Sequence, residues 1–258
     1  MIYRLLFRAS HKRASLRVLV LMMLLPIGKI AYASDLEISY FGLLEKSSQR
    51  LIIEGVGMNY TFGALGVNLT TQIASDTSLT TRIGAGYTPN HQVSFAGATF
   101  TGPFIGYYVG ASTSTPIFQL TGQTDLYIDT DLSYRNFFSK DLVGVKGSST
   151  FTGTSDGVMS VVGLNAVARH RLTSLSYVYA SYGVSKWELK AIGDGVSNSG
   201  LLTARKRLNA AGADPRWSIG YRWQEADSLL ELAMAHQSLE SATENSIISV
   251  QAVAKFAF

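Results

Sequence analysis

The last thirteen residues, Ser246 to Phe258, read S-I-I-S-V-Q-A-V-A-K-F-A-F. Ile248, Val250, Ala252, Ala254, Phe256 and Phe258 alternate with Ser249, Gln251, Val253, Lys255 and Ala257. Successive side chains of a strand point to opposite faces, so one face of this segment is unbroken apolar and ends in an aromatic. An apolar face on a terminal strand needs a partner, either a protein core or lipid. Which of the two it meets decides the architecture of the whole chain.

The amino end reads as an export leader over 1–33, which sets the mature start at Ser34 and a single mature domain over 34–258. Arg4, Arg8, Lys12, Arg13 and Arg17 precede an apolar core, Val18 to Leu25, and Ala31-Tyr32-Ala33 fits a small-x-small cleavage site. That core is well short of the roughly 20 residues that span a bilayer as a helix. The whole chain has 22 basic and 18 acidic residues. The leader holds six of the basic ones and no acid, which leaves 16 basic against 18 acidic in the mature part. The basic balance therefore belongs to the leader and gives no reason to expect nucleic acid as a partner. With no cysteine, disulfides and thiolate metal sites are excluded.

Period-two alternation recurs throughout the mature chain. Trp217, Ile219, Tyr221 and Trp223 oppose Arg216, Ser218, Gly220 and Arg222. Leu126, Ile128, Leu132 and Tyr134 oppose Asp125, Tyr127, Asp129 and Asp131. Val158, Val162, Leu164, Ala166 and Ala168 read as one face of Gly157–Arg171, against Asn165, Arg169 and Arg171. Over Ser174–Ala191 the apolar set is Leu175, Tyr177, Tyr179, Trp187 and Leu189, and the polar set is Lys186, Glu188 and Lys190. Further strands are expected at Asp35–Leu44, Ser78–Thr88, Pro103–Ala111 and Ser228–Ser238. Leu51 to about Ile73 reads as one kinked strand with a bulge at Gly63–Gly66. Short turns near Asp76, Leu172 and Glu225 alternate with long connections at Thr88–Gly102, Arg135–Asp156, Ile192–Asp214 and Leu239–Asn245. Leu201–Ala211 in the third of these is expected to form a short helix.

These features resemble the small bacterial outer-membrane β-barrels of the opacity and attachment-invasion type, whose closing strand commonly ends in Phe. The expected fold is all-β: a closed antiparallel transmembrane barrel of about ten strands, with eight or twelve as alternatives, preceded by the leader. A hydrocarbon solvent admits only helices or closed barrels, and both chain ends on one side require an even strand number. The resemblance implies residence in the Gram-negative outer membrane and contact with its lipids and lipopolysaccharide. It also implies recognition by the barrel-assembly machinery through the C-terminal strand, with Phe256 and Phe258 as the closing signal. It implies no cofactor.

Four groups of residues carry candidate chemistry. Trp187, Trp217, Trp223, Tyr134, Tyr177 and Phe258 are expected to form an interfacial aromatic girdle. Arg82, Asp125, Asp129, Asp131, Arg169, Arg216, Arg222 and Glu231 are expected to face a lumen. Lys186 and Glu188 are expected to face it too, and together these residues form either a selective polar lining or a network of paired charges that fills a narrow interior. Arg205-Lys206-Arg207 is a basic patch able to meet lipopolysaccharide phosphates. His236-Gln237-Ser238 places a base and a hydroxyl two residues apart on one face, with Glu244 following as a possible orienting carboxylate. This local pattern is similar to that of the lipid A 3-O-deacylases, although Leu239-Glu240 stands where that family has Asn-Ala. Omptin-type barrel proteases also have ten strands, but their Asp/His pairs have no equivalent here, and no metal motif is present. The leading reading is a non-enzymatic surface barrel that displays external loops. A narrow channel and an outer-leaflet lipid hydrolase are the alternatives.

Overall fold

The computed structural model describes residues 36–49, 51–53, 55–200, 203–240 and 245–255, and all but Leu36 belong to the compact unit Glu37–Phe258. The expected export leader, residues 1–33, and the terminal Phe256 and Phe258 lie outside the described residues. Twelve strands follow in order: β1 (Glu37–Ser47), β2 (Leu51–Ile53), β3 (Val56–Asn59), β4 (Thr61–Gln72), β5 (Ser78–Phe95) and β6 (Ala98–Thr121). Then come β7 (Thr124–Lys146), β8 (Ser149–Arg171), β9 (Ser176–Ser197), β10 (Thr203–Glu225), β11 (Ser228–Ser238) and β12 (Ser246–Lys255). No helix is found among the described residues.

Ten of these strands close a ring. Neighbours from β4 to β12 pair antiparallel in sequence order, and β1 pairs with both β4 and β12. The closing ladder runs from Tyr40 opposite Ala254 to Ser47 opposite Ile247. The terminal segment thus acts as the closing strand, with Ile248 and Val250 outward and exposed. A closed ring leaves no free sheet edge in hydrocarbon, where an unpaired backbone group costs several kcal/mol. The architecture is the expected all-β, closed antiparallel barrel of the transmembrane type.

The strands are unequal in length. β1, β4, β11 and β12 have 10 to 12 residues, enough for a tilted membrane strand. β7, β8 and β10 have 23. At roughly 3.3 Å per residue and a tilt near 45°, such a strand rises about 50 Å, twice the height of an apolar barrel belt of about 25 Å. The surplus stands beyond the belt at one end, formed by β5–β10 with the β2–β3 hairpin paired onto β5. Register shifts at Thr88/His91, Thr101/Ile105 and Ser139/Leu142 mark where belt gives way to extension. Pro89 and Pro103, which cannot donate to a ladder, fall at two of these irregularities.

Several expectations are corrected. The segment from Leu51 to Ile73 is not one bulged strand. It divides into β2, β3 and β4, and Gly63 to Gly66 pair in regular register with Tyr87 to Gly84. Their smallness serves packing. A Cβ on Gly66 would lie 2.7 Å from the Phe41 ring, and one on Gly84 2.9 Å from it. The long connections are mostly strand. Ala96-Gly97, with φ of 51° and 76°, forms a two-residue turn of the left-handed kind that suits a hairpin. The expected helix over Leu201–Ala211 is absent in its described part. Thr203–Ala211 pairs residue by residue with β9, so cross-strand pairing overrides local helix propensity.

Packing inside the extension sets large rings over glycine. Phe100 is fully buried and stacks on Phe95 with centroids 4.5 Å apart and planes 10° from parallel. Its other side faces Gly144, Gly153 and Gly195 on three successive strands. A Cβ there would lie 2.5, 2.9 and 2.5 Å from the ring. Gly195→Val is expected to destabilise the barrel by about 1–3 kcal/mol, as overpacking of a dense core does. The neighbouring outward Val196→Ala should stay within about 0.5 kcal/mol. Urea unfolding of the two variants checks this, and equal midpoints would contradict the packing described.

Candidate functional site

The interior has two compartments. In the half that carries the short turns, inward side chains line a polar cavity of about 510 Å³. Exposed Gln72 and Gln224, with Glu37, ring its mouth, and Leu43, Tyr108 and Arg135 form its inner end. In the half that carries the long hairpins, the interior is an apolar core. Phe95, Phe100, Phe104, Phe137, Phe151 and Trp187 are all buried there, joined by Leu51, Val56 and Met58 from the β2–β3 hairpin. The cavity is therefore a cup with one end filled.

The boundary between the compartments is a buried ion pair. Arg135 on β7 donates to Glu45 on β1, and their side chains are only 9% and 5% exposed. The Tyr60 hydroxyl donates to the second Glu45 oxygen at 2.9 Å, and Arg135 also donates to Ser133 Oγ at 2.9 Å. The Arg135 guanidinium lies 5.5 Å from the Tyr108 ring centroid. Such a pair needs its extra hydrogen bonds, because two charges have left water.

Below it the expected lumen charges come together. Arg216 Nη1 donates to Asp131 Oδ2 at 2.8 Å, and Asn165 donates to the other Asp131 oxygen at 3.1 Å. Arg169 lies 3.7 Å from Asp129 and 3.7 Å over the Tyr127 ring, and it donates to Ser114. Arg222 lies 3.6 Å from Glu231, which also accepts from the Tyr179 hydroxyl at 2.7 Å. Arg82 lines the same cavity. Asp125 faces inward near the turn end, opposite Arg169 in register, but forms no ion pair among the described residues. Three ion pairs, Arg169–Asp129, Arg216–Asp131 and Arg222–Glu231, thus line the cavity. Glu45, Arg135 and Tyr60 carry no signal in the sequence, because their meeting joins β1 to β7 across the interior.

Other expected residues are placed differently. Trp187 and Tyr177 do not join a girdle. Both face inward, with Trp187 donating to Asp214 at 2.7 Å and Tyr177 lining the cup. Lys186 and Lys190 face out, as does Glu188, which pairs with Lys190 at 2.6 Å. Trp217 is on the outer face and stacks on His236 with centroids 5.4 Å apart. Tyr134 stacks on Tyr107 across the same outer face. The basic triplet is split by strand alternation. Arg205 and Arg207 point outward, with Arg205 3.1 Å from Asp194, while Lys206 lines a small inner pocket. The triplet also lies on the stretch of β10 that β11 does not reach, since β11 pairs only from Arg216 onward. Charges on such an edge oppose pairing with another sheet. His236 and Ser238 share no hydrogen bond. Ser238 Oγ instead accepts from the Glu240 backbone N–H at 3.3 Å, and Glu244 lies outside the described residues. No cluster with metal-ligand composition occurs among the described residues.

Comparison with solved structures finds barrels. The translocator domain of the autotransporter NalP from Neisseria meningitidis matches with a TM-score of 0.51 at 10% identity, covering 95% of this chain and 98% of that one. The outer membrane protease OmpT from Escherichia coli matches with a TM-score of 0.52 at 7% identity, covering 85% and 93%. Ail, the attachment invasion locus protein of Yersinia pestis, aligns with a TM-score of 0.38 at 8% identity over 86% and 97%. No protein-family model matches the chain, and no curated protein matches its sequence. At such identities the likeness shows a shared fold, the closed β-barrel of bacterial outer-membrane proteins.

The two kinds of ion pair differ in burial, and so in cost. Glu45→Ala strands a buried guanidinium and is expected to cost about 3–5 kcal/mol. Glu188→Ala removes an outward, half-exposed partner and should cost no more than about 1 kcal/mol. Unfolding midpoints in lipid or detergent measure both. A Glu45→Ala barrel as stable as the wild type would refute the boundary assigned here.

Proposed function

We propose that this chain is an integral outer-membrane protein whose barrel anchors a stiff β-projection for contact at the cell surface. On this reading it is a non-enzymatic barrel of the opacity and attachment-invasion type, with a structural, adhesive or lipopolysaccharide-contacting role. The observation that carries it is the apolar core inside the extension. A filled interior makes the projecting hairpins rigid, and it opposes passage through the lumen. The short turns at residues 73–77, 122–123, 172–175 and 226–227 then lie in the periplasm with both chain ends, as is usual for such barrels. The hairpin tips at 96–97, 147–148 and 198–200 lie outside.

Outward charge fits the same placement. Lys190, Arg205 and Arg207 stand beyond the apolar belt, at a level where lipid phosphates of the outer leaflet are within reach. The processed start at Ser34 and delivery of β12 and its terminal Phe258 to the assembly machinery belong to this reading. His236 and Ser238 fit it as a polar, ring-stacked rim and need no catalytic role.

The absence of cysteine makes a direct test simple. Single substitutions Ser148→Cys and Ser199→Cys should react with a membrane-impermeant maleimide on intact cells. Gln123→Cys and Asp227→Cys should react only after the outer membrane is opened. The opposite pattern, or equal labelling of all four, would reject the proposed orientation.

A further inference from the structure

The polar cup holds one guanidinium that forms no ion pair of its own, although it lies close enough to Asp129 to act on that carboxyl electrostatically. Of the five arginines that line it, Arg135, Arg169, Arg216 and Arg222 each have a carboxylate partner. Arg82 on β5 has no hydrogen bond and no ion pair among the described residues, and its Nε is buried without an acceptor. A buried donor without an acceptor costs about 1–3 kcal/mol, so the position is stable only if something in the cup accepts from it.

Directly across the ladders Arg82 faces Asn68 on β4 and Gly110 on β6, and the wall one step nearer the mouth is made of hydroxyls. Arg82 faces inward beside Thr80, and register places Thr70 next to Thr80 on β4 and Ser112 next to it on β6. Thr70 and Thr80 already share a hydrogen bond of 3.0 Å. A planar donor fork flanked by rotatable hydroxyls is suited to a tetrahedral or planar oxyanion. The cavity volume of about 510 Å³ falls in the range of small-molecule sites. Because the apolar core fills the other end, entry is from the turn end only, which on the proposed orientation is the periplasm.

We propose that the cup is a binding site for a small soluble anion bearing a carboxylate or phosphate, with Arg82 as its principal contact. The site is separate from surface display by the hairpins. It needs the barrel but no partner at the outer end, so either proposal can fail without the other. The competing acceptors are Asp129, on which Arg82 acts electrostatically, and Glu37 at the mouth. Glu37 sits two strands from Arg82, paired to β4 at Thr70, and forms no ion pair among the described residues.

The test uses the folded full barrel in detergent, titrated by calorimetry with inorganic phosphate, with succinate, and with choline as a cationic control. Saturable binding of phosphate, succinate or both, without choline, is expected; the preferred anion separates the phosphate from the carboxylate source. Arg82→Gln should weaken it by about tenfold or more, the scale of one charge-assisted contact. Arg82→Lys should keep part of it, and Glu37→Gln should leave it intact or tighten it. Outward Arg207→Gln should not alter it. Heat-modifiable migration establishes that each variant is folded, and Arg82→Lys alone suffices if Arg82→Gln fails to fold. Binding that is absent for both anions, unchanged in folded Arg82 variants, or equally weakened by Arg207→Gln would overturn the proposal.

Discussion

Backbone closure is the constraint on which the rest depends. The β1–β12 ladder joins the two ends of the chain and leaves no unpaired edge within the belt. Without it, two rows of amide groups would face hydrocarbon unpaired. Closure also explains why the extension can be built differently. Once β11, β12 and β1 have ended, water can satisfy an edge. The sheet there opens into β10 on one side and the β2–β3 hairpin on the other. The basic residues of β10 fall on that free edge.

Polarity inverts along the long strands. In β9 the belt half sets Val178, Ala180, Tyr182 and Val184 outward, with Tyr179, Ser181 and Ser185 inward. In the extension, Lys186, Glu188 and Lys190 are outward, and Trp187 and Leu189 inward. The backbone phase does not change; the solvents on its two sides do. Inside, a polar cup meets the Glu45–Arg135 boundary and then a ring-filled core. Outside, an apolar belt gives way to charge. A barrel of this kind is a membrane anchor at one end and a small soluble-type core at the other, and the sealed interior follows from that division.

Much of the belt was legible in the sequence because one solvent acts on each face over its whole height. The outward sets on β7, β8 and β10 face out as alternation puts them, and Arg82, Asp129, Asp131, Arg169, Arg216, Arg222 and Glu231 all line the cup. Legibility failed where the environment changed along a strand. On β9, polarity marks Lys186 and Glu188 as lumenal when apolar is equated with lipid, yet both face out. The hairpin segments read as loops for the same reason, since glycine and threonine runs there serve to seat Phe100 and Phe95. Glu45, Tyr60 and Arg135 were silent. Each is ordinary in its own segment, and only closure of the ring brings them within hydrogen-bond reach.

The most direct test of the sealed interior is electrical. The folded barrel, reconstituted in a planar bilayer, is expected to show no stepwise openings, because buried aromatic rings and the Glu45–Arg135 pair block the path beyond the cup. Stable single-channel openings from the unmodified chain would contradict the account, since ions would then cross a region assigned here to a packed apolar core.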